Sequence, residues 1–551
     1  MRRNPQALTE REFDVAVIGG GIVGACVARD AATRGLSVAL IEKRDFSSGT
    51  SSASSRMVHG GVRYLAQLQL AVVRESLRER RIWQQAAPHL IRPLPFVLPV
   101  TTARERFEAR VGLTMFDLLA WDRGRLQDPE QRLPAHRWWS RAEAISRIPA
   151  LLDSATTGAV CYADCQATSP ERVCIECLHD AAEHGAVIAN YIACTGILQR
   201  HRRVTGLAAH DGPTGNAVLI RARSVVNATG PWADSILHTV DGISRTPRLV
   251  RSKGAHILVR RLAADYALFL RHHGRHAFVL PWRGLSLIGT TDTPYNGDPD
   301  LVRPEMDDVR ELLDIVNAAL PSAHLLTSDV RYAYAGLRPL VADGTSSSYR
   351  MSRRAEIVDH GREGGPHGLI SALGGKWTTA RHIAEQVVDL VTRQLGAGSR
   401  PCTTRERPLP GGDFGTLSAF RARLQSERMG VDRATAEHLG SIYGARYRQV
   451  VDVAAGDSAL VAALAPGIPD IGAEVVYAVR EEQALHLLDV LLRRTGIGTM
   501  GAPSSVVLDR LTGMMAMELG WSAADVERER SGVEAHYRIA TEGMEAEPQE
   551  P

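Results

Sequence analysis

The stretch Asp14–Glu42, DVAVIGGGIVGACVARDAATRGLSVALIE, decides the fold. Asp14 to Ile18 is a short β-branched and apolar run and predicts a strand. Gly19, Gly21 and Gly24 follow as G-x-G-x-x-G, and a helical pattern then runs to Arg34 with Gly35 as its stop. Ser37 to Ile41 predicts a second strand. Together these make a β-α-β unit near the N-terminus. The first glycine permits the tight turn, the second lets backbone approach a pyrophosphate, and the third lets helix and strand pack closely. The helix N-terminus then faces the anion. Glu42, 23 residues after Gly19, ends the second strand with a carboxylate suited to a ribose diol. A chance glycine-rich turn does not explain strand, helix and Glu42 together, so the stretch predicts a dinucleotide site.

Two distant segments point to FAD rather than NAD. Val225 to Gly230, VVNATG, is a strand running into a small-residue turn, and Gly374 and Gly375 lie between the apolar strand Leu369–Leu373 and a long helix. A site assembled from pieces hundreds of residues apart suits an extended flavin dinucleotide, whereas an NAD site is usually contained in one Rossmann half.

The surrounding chain has room for two or three domains, with 551 residues, 44% hydrophobic and 23% charged. The pattern predicts helices over Gln69–Ala87, Phe107–Ala120 and Arg172–Gly185, and strands near Val187–Ile192, Val218–Val226, His256–Val259, Ala277–Pro281 and Leu285–Ile288. Beyond the Pro/Gly-rich segment Pro408–Asp413 the period is helical: Leu417–Glu427, Arg433–Tyr443, Glu474–Arg494 and Val506–Leu519. The expected organisation is an extension over 1–12, an oxidoreductase unit over 13–400, a C-terminal all-helical domain over 401–535 and a disordered tail over 536–551.

Composition narrows the function classes. A net charge of +3 gives no support to nucleic-acid binding. Only three of the 65 basic residues are lysine, Lys43, Lys253 and Lys376. No run approaches the roughly 18 apolar residues that span a bilayer, and Met1 to Phe13 lacks the apolar core of a secretory signal. These features suit a cytoplasmic protein that still allows peripheral membrane contact. The seven cysteines do not make a complete disulfide framework. Cys161, Cys165, Cys174 and Cys177 read as half-buried thiols, and Arg271 to His276 reads as an exposed loop, so no metal site is expected.

Several motifs together resemble the FAD-dependent, quinone-linked glycerol-3-phosphate dehydrogenases. They are GTSSASSRMVHGGVRYL (Gly49–Leu65), NATGPW (Asn227–Trp232), KGAHILV (Lys253–Val259), PW (Pro281, Trp282), IGTTD (Ile288–Asp292), GLRPL (Gly336–Leu340), GGKWTT (Gly374–Thr379) and LLRRT (Leu491–Thr495). The likeness extends over residues 12 to 535. Trp377 and Ala380 depart from it, standing where a smaller apolar residue and an aromatic are usual. The resemblance implies an α/β fold in which a glutathione-reductase-like FAD-binding Rossmann domain is interleaved with a mixed-sheet substrate domain. It implies hydride transfer from sn-glycerol 3-phosphate to FAD, with dihydroxyacetone phosphate as product, a quinone as acceptor and room for a homodimer. Cofactor contacts would come from Gly19, Gly21, Gly24, Glu42, Lys43, Ser51, Ser52, Ser55, Arg56, His59, Gly60, Gly61, Ala228, Gly230, Gly374, Gly375 and Thr378. Substrate contacts would come from Arg63, Tyr64, Arg338, Arg353 and Lys376.

The chemistry of the residues agrees. A phosphate dianion needs several cations, preferably with forked arginine geometry, and Arg63, Arg338, Arg353 and Lys376 supply them. Alcohol oxidation needs a base near working pH, and histidine suits that. His256 is the first candidate, and His59 reads better as a flavin contact. A glycerol-phosphate oxidase using O2, an amino-acid-oxidase-like flavoenzyme and a flavin-binding scaffold without turnover are the competing readings.

Overall fold

A computed structural model describes residues 1–541 except 245, 343–353, 397, 399, 428 and 429. Arg353 therefore lies outside the described residues.

The predicted β-α-β unit forms the centre of an eight-stranded sheet. Strand Glu12–Ile18 (β1) leads through helix Ile22–Thr33 (α1) to strand Val38–Ile41 (β2). The parallel core runs Val187–Ala189, β2, β1, Ala217–Asn227, Leu369–Gly374, with Ala355–Asp359 antiparallel at the edge. All four residues of β2 are buried, as expected of a strand covered on both faces. α1 packs beside helices Pro170–Glu183 and Ala380–Leu395 on one face.

A second sheet of ten strands is mixed, with Ala267–His272 parallel to Ile91–Val100 and the other pairings antiparallel. The chain crosses between the sheets several times, so the cofactor and substrate parts are interleaved in sequence. In the second sheet, strand Leu249–Val259 pairs with Tyr332–Val341 so that Ser252 stands opposite Arg338 and His256 opposite Tyr334. That register brings a candidate base and a candidate phosphate ligand onto neighbouring strands.

Three expectations need correction. The C-terminal region is not all helical, because Ala463–Ala465 and Ile468–Ile471 form a small antiparallel hairpin. The pattern over Glu474–Arg494 is not one helix: helix Gly472–Glu482 ends at Gln483, whose φ is 58°. Gln483 turns inward, its Nε2 donating to the Ile188 carbonyl at 3.0 Å while its own carbonyl accepts from Asn190 Nδ2 at 2.8 Å. Tertiary hydrogen bonds override the helical period there. Finally, the expected tail cannot begin at 536, because the last helix runs from Ala523 to Thr541 and buries Tyr537, whose hydroxyl donates to the Gly498 carbonyl. At the other end, the 1–12 segment is tied down: Leu8 is buried and the Met1 ammonium meets Glu481 at 3.2 Å.

Candidate active site

Both sheets wall a cavity of about 770 Å³. Gly19, Gly21, Glu42, Lys43, Ser51, Ala228 and Gly230 line it from the β-α-β side. Ser55, Arg56, His59, Gly61, Arg63, Tyr64, His256, Arg338, Gly374, Gly375, Lys376 and Thr378 complete the set of expected residues on its wall. Three expected cofactor residues stand behind it. Gly24 packs α1 onto the turn, since a Cβ there would lie 1.9 Å from the Gly19 carbonyl. Ser52 donates to the Gly49 carbonyl. Gly60 donates to Asp164, with no space for a side chain between Leu77 and Phe116.

The dinucleotide end fits its expected occupant. Gly19 has φ +108°, and a Cβ there would lie 2.8 Å from the Ala228 carbonyl. Gly21 caps α1 without a side chain, leaving the helix N-terminus open to an anion. Glu42 accepts from Gly20 N at 2.7 Å and Arg44 N at 2.9 Å, one bond to each oxygen. Each oxygen keeps a lone pair, as recognition of a diol requires. Burial pushes this carboxyl above its ordinary range. Ser51 Oγ accepts from Ile22 N at 2.9 Å and so joins the 43–55 loop to the glycine turn.

That loop is also held from far along the chain. Asp45, fully buried, receives both forks of Arg494 at 2.8 Å and Nε of Arg493 at 2.5 Å. Burial alone would raise the Asp45 pKa, but the two guanidiniums hold it at about 2. The LLRRT segment thus reaches the cofactor loop, a connection no sequence pattern announces.

At the polar end, Tyr64 lies under two cations. Its ring is 5.1 Å from the Arg63 guanidinium and 4.8 Å from Lys376 Nζ. Arg338 is anchored by Thr290 Oγ1 at 2.8 Å, the Thr291 carbonyl at 2.9 Å and Ser252 Oγ at 3.2 Å, with Asp292 at 3.5 Å. Gly254 is required beside it, because a Cβ would meet Arg338 Nη2 at 2.3 Å. His256 Nε2 lies 2.8 Å from Ser55 Oγ, and its ring stacks on Tyr334 at 4.9 Å. Gly289 leaves room for that ring, which a Cβ would approach to 2.1 Å.

The sequence expectation of a base near working pH does not hold for this state of the site. Burial, then Arg338 and Arg56, push the His256 pKa down to about 3. His59 is likewise held at about 3 by burial and by Lys376 and Arg63. Both rings are therefore neutral at pH 7.

One wall residue was read differently from the sequence. His276 belongs to strand Arg275–Trp282 and lines the cavity, with its ring 5.4 Å from Phe269. Burial, Arg63 and Arg338 lower its pKa to about 4. An apolar wall of Leu98, Leu113, Tyr162, Phe269 and Phe278 adjoins it.

A parallel-cored sheet carrying a glycine cradle, joined to a mixed sheet that presents arginine, lysine and neutral histidine to one cavity, defines a dinucleotide-dependent oxidoreductase. Residues 14–381 match the model of the FAD dependent oxidoreductase family, and 402–526 match the C-terminal domain of alpha-glycerophosphate oxidase. The chain belongs to the FAD dependent oxidoreductase family. It is 35% identical over 510 residues to the glycerol-3-phosphate dehydrogenase of Synechocystis sp., covering 90% of each chain. It is 36% identical over 527 residues to glycerol-3-phosphate dehydrogenase 2 of Mycobacterium tuberculosis, covering 95% of this chain and 87% of the other. The X-ray structure of the glycerol-3-phosphate dehydrogenase from Bacillus halodurans complexed with FAD superposes with a TM-score of 0.78 at 28% identity, covering 97% and 96% of the two chains.

Proposed function

We propose that this chain binds FAD and oxidises sn-glycerol 3-phosphate to dihydroxyacetone phosphate. The observation that carries the reading is the convergence of Arg63, Arg338 and Lys376 with neutral His256 on a cavity that begins at a dinucleotide cradle. Bound FAD supplies the hydride acceptor. The chain's own residues do the rest. Arg338, preorganised by hydrogen bonds to Ser252, Lys253, Thr290, Thr291 and Asp292, receives phosphate oxygens together with Arg63 and Lys376. That grip fixes the secondary carbinol in the cavity. The hydroxyl proton passes to His256 Nε2 by way of Ser55 Oγ, which gives its own proton to that nitrogen and takes the substrate's. Burial is the main cause that depresses His256, with Arg338 and Arg56 adding to it; a dianion beside Arg338 offsets that arginine's part, so substrate binding raises the basicity of its own base.

The test is anaerobic addition of glycerol 3-phosphate to the purified yellow holoenzyme. Bleaching of the flavin by this substrate, and not by glycerol or a D-amino acid, is expected. Equal bleaching by all three would sink the assignment. Oxygen uptake during aerobic turnover separates an oxidase from a dehydrogenase.

We further read the protein as a quinone-linked enzyme held on the cytoplasmic membrane face. No described helix is long and apolar enough to cross a membrane. Helix Ala103–Leu119 packs Leu113 and Phe116 inward but exposes Phe107, Val111 and Leu118, and Leu68 and Trp121 are exposed beside it. Leu113 also lines the cavity. An exposed apolar stripe flanked by Arg104 and Arg110 suits an anionic interface. Wild type should float with anionic vesicles at low salt, and Phe107→Ser with Leu118→Ser should reduce flotation at least several-fold without changing flavin content.

A further inference from the structure

A second cluster of metal-ligand chemistry lies in the C-terminal region. His438 on helix Arg433–Tyr443, Asp470 on strand Ile468–Ile471 and Glu474 in the first turn of helix Gly472–Glu482 place one ligand atom each within 4.8 Å of one another. His438 Nε2 is 3.2 Å from Glu474 Oε1 and 3.6 Å from Asp470 Oδ1. Glu474 is oriented by its own backbone: Oε2 accepts from Ile471 N at 2.8 Å, which leaves Oε1 for the cluster. Asp470 is different. Its side chain is 1% exposed, and neither carboxylate oxygen receives a hydrogen bond from another described residue. A buried carboxylate without donors is costly unless a proton or a cation meets it. Arg283 faces the group from the neighbouring sheet, yet its Nη2 donates to the Thr495 carbonyl at 2.7 Å, which leaves Asp470 only its own backbone N–H and the His438 nitrogen at 3.6 Å.

We propose that His438, Asp470 and Glu474 form a structural divalent-cation site of zinc-like chemistry. One imidazole nitrogen and two carboxylate oxygens are a zinc-type donor set, and metal–ligand bonds of about 2.1 Å in a tetrahedron place neighbouring ligand atoms about 3.4 Å apart. The observed 3.2 and 3.6 Å bracket that edge. A divalent ion would neutralise both carboxylates, leave His438 uncharged, and supply the partner that Asp470 lacks. It would also staple two helices and the hairpin strand, so its effect is on stability of the C-terminal region and not on the flavin chemistry.

The experiment uses the untagged holoenzyme, stripped with a chelator and returned to zinc chloride. Elemental analysis should find one zinc per chain, and the thermal midpoint should rise by about 2–5 °C over the stripped protein. X-ray absorption at the zinc edge should show nitrogen and oxygen neighbours, without the sulfur scatterer at about 2.3 Å that the buried cysteines would give. Asp470→Asn and His438→Gln should each abolish zinc retention while keeping one FAD per chain. The proposal is overturned by stripped wild type that takes up no zinc and shows no thermal shift, which would make the cluster a bare ion pair. Sulfur ligation in wild type, or full zinc retention by Asp470→Asn, would overturn it equally, and the wild-type measurements decide even if a variant fails to fold.

Discussion

At the scale of single residues, the cavity separates affinity from chemistry. Glu42→Ala removes the carboxylate aligned by Gly20 and Arg44. It should weaken FAD binding by about 1–3 kcal/mol, the cost of losing charge-assisted hydrogen bonds, as read by flavin titration of apoprotein. Unchanged affinity would remove Glu42 from the ribose role. Arg338→Ala should lower kcat/KM for glycerol 3-phosphate by about 2–5 kcal/mol in activation terms. The loss should be much smaller for any slow activity on free glycerol if, as proposed, Arg338 holds the phosphate. His256→Ala should instead lower kcat by roughly 10²–10⁴ with little effect on substrate binding. Steady-state kinetics on both substrates distinguishes the two; equal losses with glycerol and its phosphate would show that Arg338 does not read the phosphate. That Arg63, His256, Arg338 and Lys376 line one cavity was legible in the sequence, because each stands inside a distinctive run of neighbours. His276 was not. Its stretch, R-H-H-G-R-H, reads as a loop, but the turn consumes only His273 and Gly274, both at positive φ, and the strand resumes at Arg275. A two-residue hairpin turn leaves no polar loop to recognise, only alternation too short to separate from chance.

At the scale of elements, the same contrast recurs. The β-α-β unit was legible because local period, glycine spacing and strand composition all agree over some thirty residues. The break at Gln483 and the Asp45–Arg493–Arg494 contact were hidden because each depends on partners hundreds of residues away. Through that contact the C-terminal helices hold the loop between Glu42 and Ser55 from behind, while Ser51 fastens its front to α1. Arg494→Met leaves Asp45 buried with half its charge partners. Breaking a buried pair in this way typically costs about 3–5 kcal/mol. The variant should release FAD at lower urea than wild type, with flavin fluorescence appearing before the loss of far-UV circular dichroism. Arg494→Lys keeps the charge but not the fork, and should fall between the two. If FAD release and unfolding stay coincident in Arg494→Met, with the same midpoint as wild type, the loop does not depend on the C-terminal helices.

At the scale of the whole molecule, the histidines set the acid limit of the fold. Burial holds His59, His89 and His256 at about 3, and His179, His276, His360 and His536 at about 4, all from an ordinary value of 6.5. In the folded chain these rings stay neutral as the pH falls below 6.5, whereas in the unfolded chain they take up protons. The unfolded state then binds more protons, so stability falls with pH by about 1.4 kcal/mol per unit for each such group. Buried acids act the other way. Burial raises Glu176 to about 7 and lifts Glu42, Asp164, Glu311 and Asp489 as well, so above their ordinary values their contribution is lost as pH rises. Seven lowered histidines outweigh these five carboxyls, so the thermal midpoint should decline from pH 6.5 toward pH 4.5. His89 isolates the effect, since it is 1% exposed and neither ring nitrogen has a hydrogen-bond partner among the described residues. It lies outside the cavity wall, so His89→Gln should leave substrate kinetics unchanged. Its stability deficit relative to wild type at pH 7 should shrink by about 1.4 kcal/mol for each unit below pH 6.5, as measured by urea unfolding at a series of pH values. Parallel pH profiles for the two proteins would mean that His89 is protonated in the fold and that burial does not govern the acid limit.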